Sequence, residues 1–208
     1  MSKNVVLFRA LGALVLLWLA AGSALSQALP PKEEILADRV MGEPGAPVTL
    51  NEYASLTCPH CASFHKDTLP AIKKDYIDTG KVKLLFKDFP LDRLALTASM
   101  MARCAPKERY FGLLETLFRT QDTWMRSADP SAQLQRLGQV VGLSKQSYDA
   151  CVNNKEIFDG LMAQRSQAES KVSSTPTFFI GDKKLSGAVT VDVLRKELDQ
   201  ALAAQQKK

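Results

Sequence analysis

The tetrapeptide Cys58-Pro59-His60-Cys61 constrains this chain more than any other feature of its sequence. It stands where a short β-rich run, Val48–Ala54, gives way to a helical pattern. Beyond Cys61, side chains that fit a core face recur every three or four residues as far as Tyr76, which is typical of an amphipathic helix. The two cysteines are therefore predicted to lie on the first turn of a helix that closely follows a strand.

The segment around this motif predicts a βαβ unit. Pro70 lacks the backbone N–H that would bond to Lys66, so it is expected to kink the helix. Gly80 ends the helix, and residues 82–86 have the composition of a second strand. Strand, helix and strand within about forty residues indicate two parallel strands joined by a right-handed crossover.

The remainder of the chain indicates one sheet that is interrupted once. Residues 91–172 carry helical periodicity without a strand-like stretch. Strand patterns return at 177–180 and 183–186 and are joined tightly enough to form an antiparallel hairpin. Thr190 then caps a final helix. The predicted fold class is α/β, with a mixed sheet and an inserted helical block inside a single domain over 48–206.

The first residues have the three-part form of a secretory signal peptide. Lys3 and Arg9 precede residues 10–21, a run of twelve without a polar side chain, and Ser26-Gln27-Ala28 fits a small-x-small cleavage rule. An uncleaved membrane anchor is the alternative, but twelve residues are short against the ~20 that a spanning helix needs. We predict a cleaved signal over 1–28 and a periplasmic or extracellular mature protein.

Charge and composition are those of an ordinary globular protein. Hydrophobic residues make up 46% and charged residues 24% of the 208 residues. The formal charge of +5 falls to +3 without residues 1–28, because Lys3 and Arg9 lie there. So mild an excess gives no reason to expect a nucleic-acid partner. Residues 29–47, rich in proline and glycine, are expected to form an extended leader.

The spacing of Cys58 and Cys61 suits thiol–disulfide exchange. At a helix N-terminus the unpaired N–H groups and the helix dipole stabilise a thiolate on Cys58. Cys61 lies one turn further on and is expected to be less exposed, so it can resolve a mixed disulfide. A protonated His60 would favour the thiolate further. A stabilised thiolate stabilises the reduced pair, and this makes the disulfide a stronger oxidant.

Two other interpretations of the pair remain open. A purely structural disulfide across two residues closes a very small loop and stabilises a fold little. A zinc site would need four ligands, and His65 is available as a third, but no further Cys-x-x-Cys or His pair follows. His65 is otherwise expected to be an ordinary residue on the helix, and we predict no metal.

The run Tyr53–His65, with the predicted signal and the inserted helical block, resembles the DsbA family of thiol–disulfide oxidoreductases. The resemblance extends from about residue 38 to residue 203. It implies a thioredoxin fold and an enzyme that uses Cys58 and Cys61 with Pro59 and His60. Cys-Pro-His-Cys is the form associated with DsbA oxidases, whereas thioredoxins typically carry Gly-Pro between the cysteines.

The resemblance also implies a cis-proline loop that faces the active site, which Thr175-Pro176 matches. A cis bond would turn the backbone of Thr175 toward Cys58, where a substrate strand could pair with it. Many DsbA oxidases have an apolar residue in place of Thr175, and Thr-Pro also occurs in isomerase relatives. This departure leaves the strength of oxidation open.

Relatives carry a buried acidic residue near the position of Glu52, thought to help move a proton off Cys61. Strand alternation would turn Glu52 inward together with Ala54. The alternative is a solvent-facing residue on an edge strand. Lys87 is the candidate partner that the sequence offers for Glu52.

Cys104 and Cys151 both fall in the helical block. Two remaining cysteines in an oxidising compartment usually pair, and some DsbA relatives have a second bridge in this region. We predict a structural disulfide between them. A second redox couple that tunes the first is the alternative.

The function implied by the resemblance is oxidation of cysteine-containing exported proteins by the Cys58–Cys61 disulfide. Reoxidation by a membrane protein of the DsbB type is also implied, and no cofactor is needed because the disulfide carries the electrons. A reductase or isomerase is the first alternative. Isomerases of this fold dimerise through an added N-terminal domain that does not fit before residue 48, so we expect a monomer. A zinc-binding or chaperone module without turnover is a second alternative.

Overall fold

A computed structural model describes residues 29–206, which form one five-stranded mixed sheet surrounded by helices. The signal peptide predicted over 1–28 lies outside the described residues. The strands follow the order β1-β3-β2-β4-β5 across the sheet. Their bounds are β1 Arg39–Met41, β2 Val48–Ala54, β3 Val82–Asp88, β4 Thr177–Ile180 and β5 Lys183–Ser186.

Strand β2 is the middle of the sheet. It runs parallel to β3, as the predicted βαβ unit requires, and antiparallel to β4. Every second residue of β2 is buried, so Glu52 shares the inward face with Leu50 and Ala54. The inward orientation of Glu52 is confirmed, and the alternative of an exposed edge position is wrong.

The helix after β2, here α2, is continuous but changes its winding. It comprises an α-helical turn Pro59–Ser63, a wider π-turn Phe64–Thr68, an α-helical turn Leu69–Ile72 and a second π-turn Lys73–Ile77. In the first π-turn the N–H of Leu69 bonds to the oxygen of Phe64, five residues back. This change of winding comes just before Pro70, where the sequence predicts a kink because proline lacks a backbone N–H.

The insertion between β3 and β4 is entirely helical, as predicted. Pro130 occupies the first turn of one of its helices, and Ser144 accepts a hydrogen bond from Ser147 N as the N-cap of the next. Thr190 caps the last helix of the chain in the same way. The helices are α3 Arg93–Cys104, α4 Tyr110–Arg119, α5 Gln121–Met125, α6 Pro130–Val140, α7 Lys145–Val152, α8 Lys155–Ala168 and, after the hairpin, α9 Val191–Gln205. Across residues 29–206, none of the helices is both long and apolar enough to cross a membrane.

The extended leader predicted over 29–47 is wrong in part, because this segment contains helix α1, Lys32–Leu36, and the edge strand β1. A five-residue helix is too short to be stable alone. Contacts from the helical block hold it: Arg103 donates to the carbonyl oxygens of Ile35 at 3.1 Å and Ala37 at 2.8 Å. These contacts depend on residues more than sixty positions away, so local sequence did not indicate them.

Arg103 is itself fully buried and forms an ion pair with Asp88 at the end of β3. Burial opposes the charge of the guanidinium, but the facing Asp88 carboxylate outweighs this effect and raises the pKa of Arg103. The pair therefore joins the sheet, the helical block and the N-terminal segment around one buried charge.

Replacing Arg103 should destabilise the protein strongly. In Arg103→Met the Asp88 carboxylate would stay buried without its partner, which typically costs about 3–5 kcal/mol of unfolding free energy. Urea unfolding measures the loss. The matched control is Arg126→Met, since Arg126 and Asp122 form an ion pair with both side chains about 80% exposed. We expect that control to change stability by less than about 1 kcal/mol; equal losses in the two variants would contradict this view.

Cys104, at the end of α3, and Cys151, in α7, are joined by a disulfide. Their Cα atoms are 6.3 Å apart, and the bond links two helices of the insertion. The pairing is the one that the family resemblance implies. Its role, structural or redox-active, stays a prediction.

A double variant, Cys104→Ser with Cys151→Ser, separates the two roles. If the bond is structural, unfolding free energy should fall by up to ~4 kcal/mol, because the unfolded chain regains the entropy of a loop of nearly fifty residues. Urea unfolding and the redox potential of the Cys58–Cys61 pair are measured on the same variant. An unchanged potential is expected, and a shifted potential would favour a second redox couple.

Candidate active site

Cys58 lies at the N-cap of α2, directly after the turn that follows β2. Its carbonyl oxygen accepts the first helical bond from Ala62 N at 3.1 Å, and Pro59 occupies the first helical position, where no N–H is needed. Cys58 is 5% exposed and Cys61 is fully buried. Both are free thiols, and Pro59 and His60 are exposed beside them. One sulfur thus borders the surface while the other lies beneath it.

The Thr175–Pro176 peptide bond is cis, as the family resemblance implies. The Cys58 thiol donates a hydrogen bond to the carbonyl oxygen of Thr175 at 3.3 Å. Strand β4 runs antiparallel to β2 with Thr177 opposite Tyr53. This register places the start of β4 beside the C-terminal end of β2, where α2 begins. The loop before β4 therefore lies against the first turn of α2.

The two thiols differ strongly in acidity. A hydrogen bond from Cys61 is the main cause that lowers the pKa of Cys58 from 9.0 to about 5, against the opposing effect of burial. Smaller contributions come from the Thr175 side chain and from the backbone N–H groups of Cys61 and His60. For Cys61, burial is the main cause and raises the pKa. The hydrogen bond to Cys58 and the charge of Glu52 raise it further. His60 thus acts on Cys58 through its backbone.

Gln121, from α5, fixes the turn that carries the first cysteine. Its side-chain amide donates to the carbonyl oxygens of Leu56 at 2.8 Å and Cys58 at 3.0 Å, and the residue is buried. Sequence reasoning missed Gln121, because it lies 63 positions from Cys58 in a helix without a recognisable motif. A glutamine on the apolar face of an otherwise amphipathic helix is the one local signal that could have indicated it.

Glu52 is fully buried below the cysteines, and its partner is His65 rather than Lys87. His65 Nε2 lies 2.9 Å from Oε1 and 3.1 Å from Oε2 of Glu52. Lys87 instead pairs with Asp38. In the parallel register Glu52 is opposite Phe86, and Lys87 follows on the other face of the strand. The predicted Lys87 partnership is therefore wrong, and His65 is not an ordinary helix residue.

The structure brings together all of the residues predicted for the active site. Six of them lie at the C-terminal end of β2, and Glu52 lies beneath them: Cys58, Pro59, His60, Cys61, Thr175 and Pro176. Within residues 29–206 there is no cluster of three or more His, Cys, Asp or Glu side chains arranged to hold a metal ion. Chemically, the arrangement offers one thiolate near the surface and one protonated thiol behind it, which suits thiol–disulfide exchange.

Comparison with known proteins agrees with this geometry. A family model described as thioredoxin matches residues 34–200. A Rickettsia conorii protein named as a protein-disulfide oxidoreductase is 33% identical over 174 residues, 82% of this chain. Disulfide bond formation protein D of Bacillus subtilis is 28% identical over 187 residues, 85% of this chain and 82% of that protein.

A solved structure shares both sequence and fold with this chain. The crystal structure of alpha-DsbA1 from Wolbachia pipientis has 33% identity and a TM-score of 0.75, covering 85% of this chain and 94% of that one. By contrast, this chain spans only 62% of the length of the Rickettsia relative.

The low pKa of Cys58 predicts a titration that can be observed directly. Thiolate absorbance in the ultraviolet should rise with a midpoint near pH 5 in the reduced protein. Cys58→Ser should abolish this transition, and Cys61→Ala should move it to higher pH because the largest stabilising hydrogen bond is lost. A wild-type midpoint near the ordinary value of 9.0 would contradict the geometry.

The same pKa sets the sign of a stability change. Between the folded value of about 5 and the ordinary value of 9.0, the unfolded chain holds a proton on Cys58 that the folded protein lacks. The stability that Cys58 contributes to the reduced protein is therefore complete above pH 9 and is lost as the pH falls to about 5. The oxidised protein, with no thiol at this position, should lack the effect, and parallel unfolding curves measure the difference.

Proposed function

The chain belongs to the DsbA family of thioredoxin-fold proteins, and on that basis we propose that it is a thiol–disulfide oxidase of cysteine-containing exported proteins. The observation that carries the proposal is the inequality of the two thiols: Cys58 has a pKa of about 5, whereas burial raises that of Cys61. An acidic Cys58 favours the reduced pair, so the Cys58–Cys61 disulfide would be readily given to a client protein.

In the proposed reaction a client thiolate attacks Cys58 of the enzyme disulfide. The Cys58–Cys61 bond breaks, a client–Cys58 bond forms, and Cys61 leaves as a thiolate that takes up a proton. A second client thiolate then attacks the client sulfur of this mixed disulfide, and Cys58 leaves as a thiolate. Two electrons pass from the client to the enzyme pair; one client proton ends on Cys61 and the other in solvent. No cofactor takes part.

The cis-proline loop is proposed to hold the client. Its occupant would be an extended segment that pairs with the backbone of Thr175, beside the sulfur to be attacked. Pro176 supports this role by turning that backbone toward Cys58, as the 3.3 Å hydrogen bond indicates. Pro59 keeps the first turn of α2 in place, and the backbone of His60 helps to stabilise the thiolate.

We further propose a periplasmic location and a DsbB-type membrane partner that returns the pair to its disulfide form. Both follow from family membership and from the signal peptide expected over 1–28, and a monomeric state is proposed with them. The low pKa of Cys58 fits such a cycle, because a stabilised thiolate must be reoxidised by a partner that is a still stronger electron acceptor.

A reductase or isomerase is the second candidate, and the observation that favours it is the threonine before the cis-proline. The Thr175 hydroxyl is buried and has no hydrogen-bond partner among the described residues. The same side chain contributes to the low Cys58 pKa. Thr-Pro also occurs at this position in isomerase relatives of the family, whereas the effect of the hydroxyl on the Cys58 thiolate favours oxidation.

The redox potential of the Cys58–Cys61 pair, measured at equilibrium with glutathione, decides between the two candidates. An oxidase should have a potential well above the value of about −270 mV that is typical of thioredoxin. Thr175→Val serves as an internal check: it removes the hydroxyl that stabilises the thiolate and should lower the potential. A wild-type potential close to that of thioredoxin would contradict oxidation and support reduction.

A further inference from the structure

The family resemblance gives Glu52 a role in moving the proton of Cys61, but its buried partner His65 has no part in the mechanism described so far. The two side chains are 3% and 0% exposed, and one nitrogen of His65 lies within 3.1 Å of both carboxylate oxygens. Within residues 29–206 no other side chain or backbone group is hydrogen-bonded to this carboxylate. A buried carboxylate is costly unless it is paired or protonated, so Glu52 depends on His65.

Aromatic rings hold His65 in this position. Its ring stacks on Phe118 of α4, with centroids 4.0 Å apart and an angle of 23° between the planes. The edges of Phe64 and Phe86 enclose it further. Since the ring cannot turn freely, Nε2 stays directed at Glu52.

The other side of His65 borders a groove between α2 and α4. The groove has a volume of about 380 Å³. Its inner wall includes His65 and Leu114, and the exposed side chains of Lys73 and Glu115 line it toward the surface. His65 therefore stands between a buried carboxylate and a space that opens to solvent.

We propose that His65 is a positioning residue that holds Glu52 and relays, through it, the proton that Cys61 exchanges with solvent in this groove. The inference rests on the proposed function, because only exchange at Cys58 makes Cys61 gain or lose its proton. When Cys61 leaves a disulfide as a thiolate, a proton passes from His65 through Glu52 to its sulfur. When Cys61 attacks a mixed disulfide, its proton leaves by the reverse route.

The site needs such a route because Cys61 has no surface of its own. It is fully buried, and burial raises its pKa, so its proton leaves only if a base inside the protein accepts it. Glu52 is close enough for its charge to act on Cys61. A carboxylate next to a buried thiol can accept the proton, but it must pass the proton on before the next cycle, and His65 is its partner.

Other ionisable groups surround this pair. Tyr110, from α4, is fully buried, and burial is the main cause that raises its pKa. Arg39, from β1, lies over the Tyr110 ring. The charge of Glu52 acts on Cys61 and Tyr110, and Asp88, Arg103 and Arg39 act on Tyr110 in turn. Lys73 and Glu115 line the groove on the His65 side. Tyr110 stays protonated and the two arginines charged around neutral pH, so they do not compete for the proton.

A two-step reaction tests the relay. Reduced protein is mixed with oxidised glutathione, quenched with acid at intervals, and analysed by mass spectrometry. In the first step Cys58 attacks glutathione disulfide, forms a Cys58–glutathione bond and releases one glutathione thiolate. In the second, Cys61 loses its proton, attacks Cys58 and releases the second glutathione thiolate. Only the second step requires the relay.

The variants are His65→Ala and His65→Phe. Both should leave the first step unchanged and slow the second roughly hundredfold at neutral pH, a loss typical of a missing proton-transfer group. Raising the pH should reduce the deficit. Added imidazole should restore the second step in His65→Ala, where it can occupy the space of the lost ring, but not in His65→Phe, where that space is filled. Lys66→Ala, which removes an exposed side chain on the same π-turn as His65 and outside the groove lining, is the matched control and should behave as wild type.

Gly112→Trp probes the groove without altering His65. Gly112 lines the groove, and a Cβ there would meet no atom within 4 Å, so the tryptophan side chain is expected to fill part of the groove. It should slow the second step alone, and it keeps the proposal testable if the His65 variants do not fold. An unchanged second step in these variants, or a slow His65→Ala that imidazole does not restore, would overturn the relay. Absence of the first step in wild type would instead overturn the proposed function.

Discussion

The charge difference between two neighbouring sulfurs is the constraint on which the rest of this structure depends. Cys61 is buried, so it keeps its proton and donates it in a hydrogen bond to Cys58. Cys58 is thereby stabilised as a thiolate at the start of a helix, where backbone N–H groups add to the effect. Every other feature of the site keeps this inequality in place or makes use of it.

Distant parts of the chain meet at this site because of the sheet. The end of β2 lies beside the start of β4, so the cis-proline loop reaches Cys58 from a position 117 residues away. The inserted helical block contributes Gln121, which holds the turn that carries Cys58. The insertion therefore supports the turn as well as covering the sheet.

Two buried pairs of ionisable side chains link separate elements of the fold. Arg103 and Asp88 join the helical block to β3 and also hold the N-terminal segment. Glu52 and His65 join the central strand to α2, directly below the buried thiol. Each pair satisfies a charge that would be costly alone, so burial of charge constrains where these elements pack.

Local patterns in the sequence were sufficient for the cysteine motif, the βαβ unit, the hairpin, the helical block and the inward orientation of Glu52. Those features follow from short-range periodicity, turn chemistry and helix capping, which depend on neighbouring residues. Tertiary structure alone decided that His65 rather than Lys87 pairs with Glu52, that Gln121 holds the turn at Cys58, and that 32–41 form a helix and an edge strand. Each of these depends on contacts between segments far apart in the chain, and a one-dimensional pattern carries no information about which buried polar groups will meet.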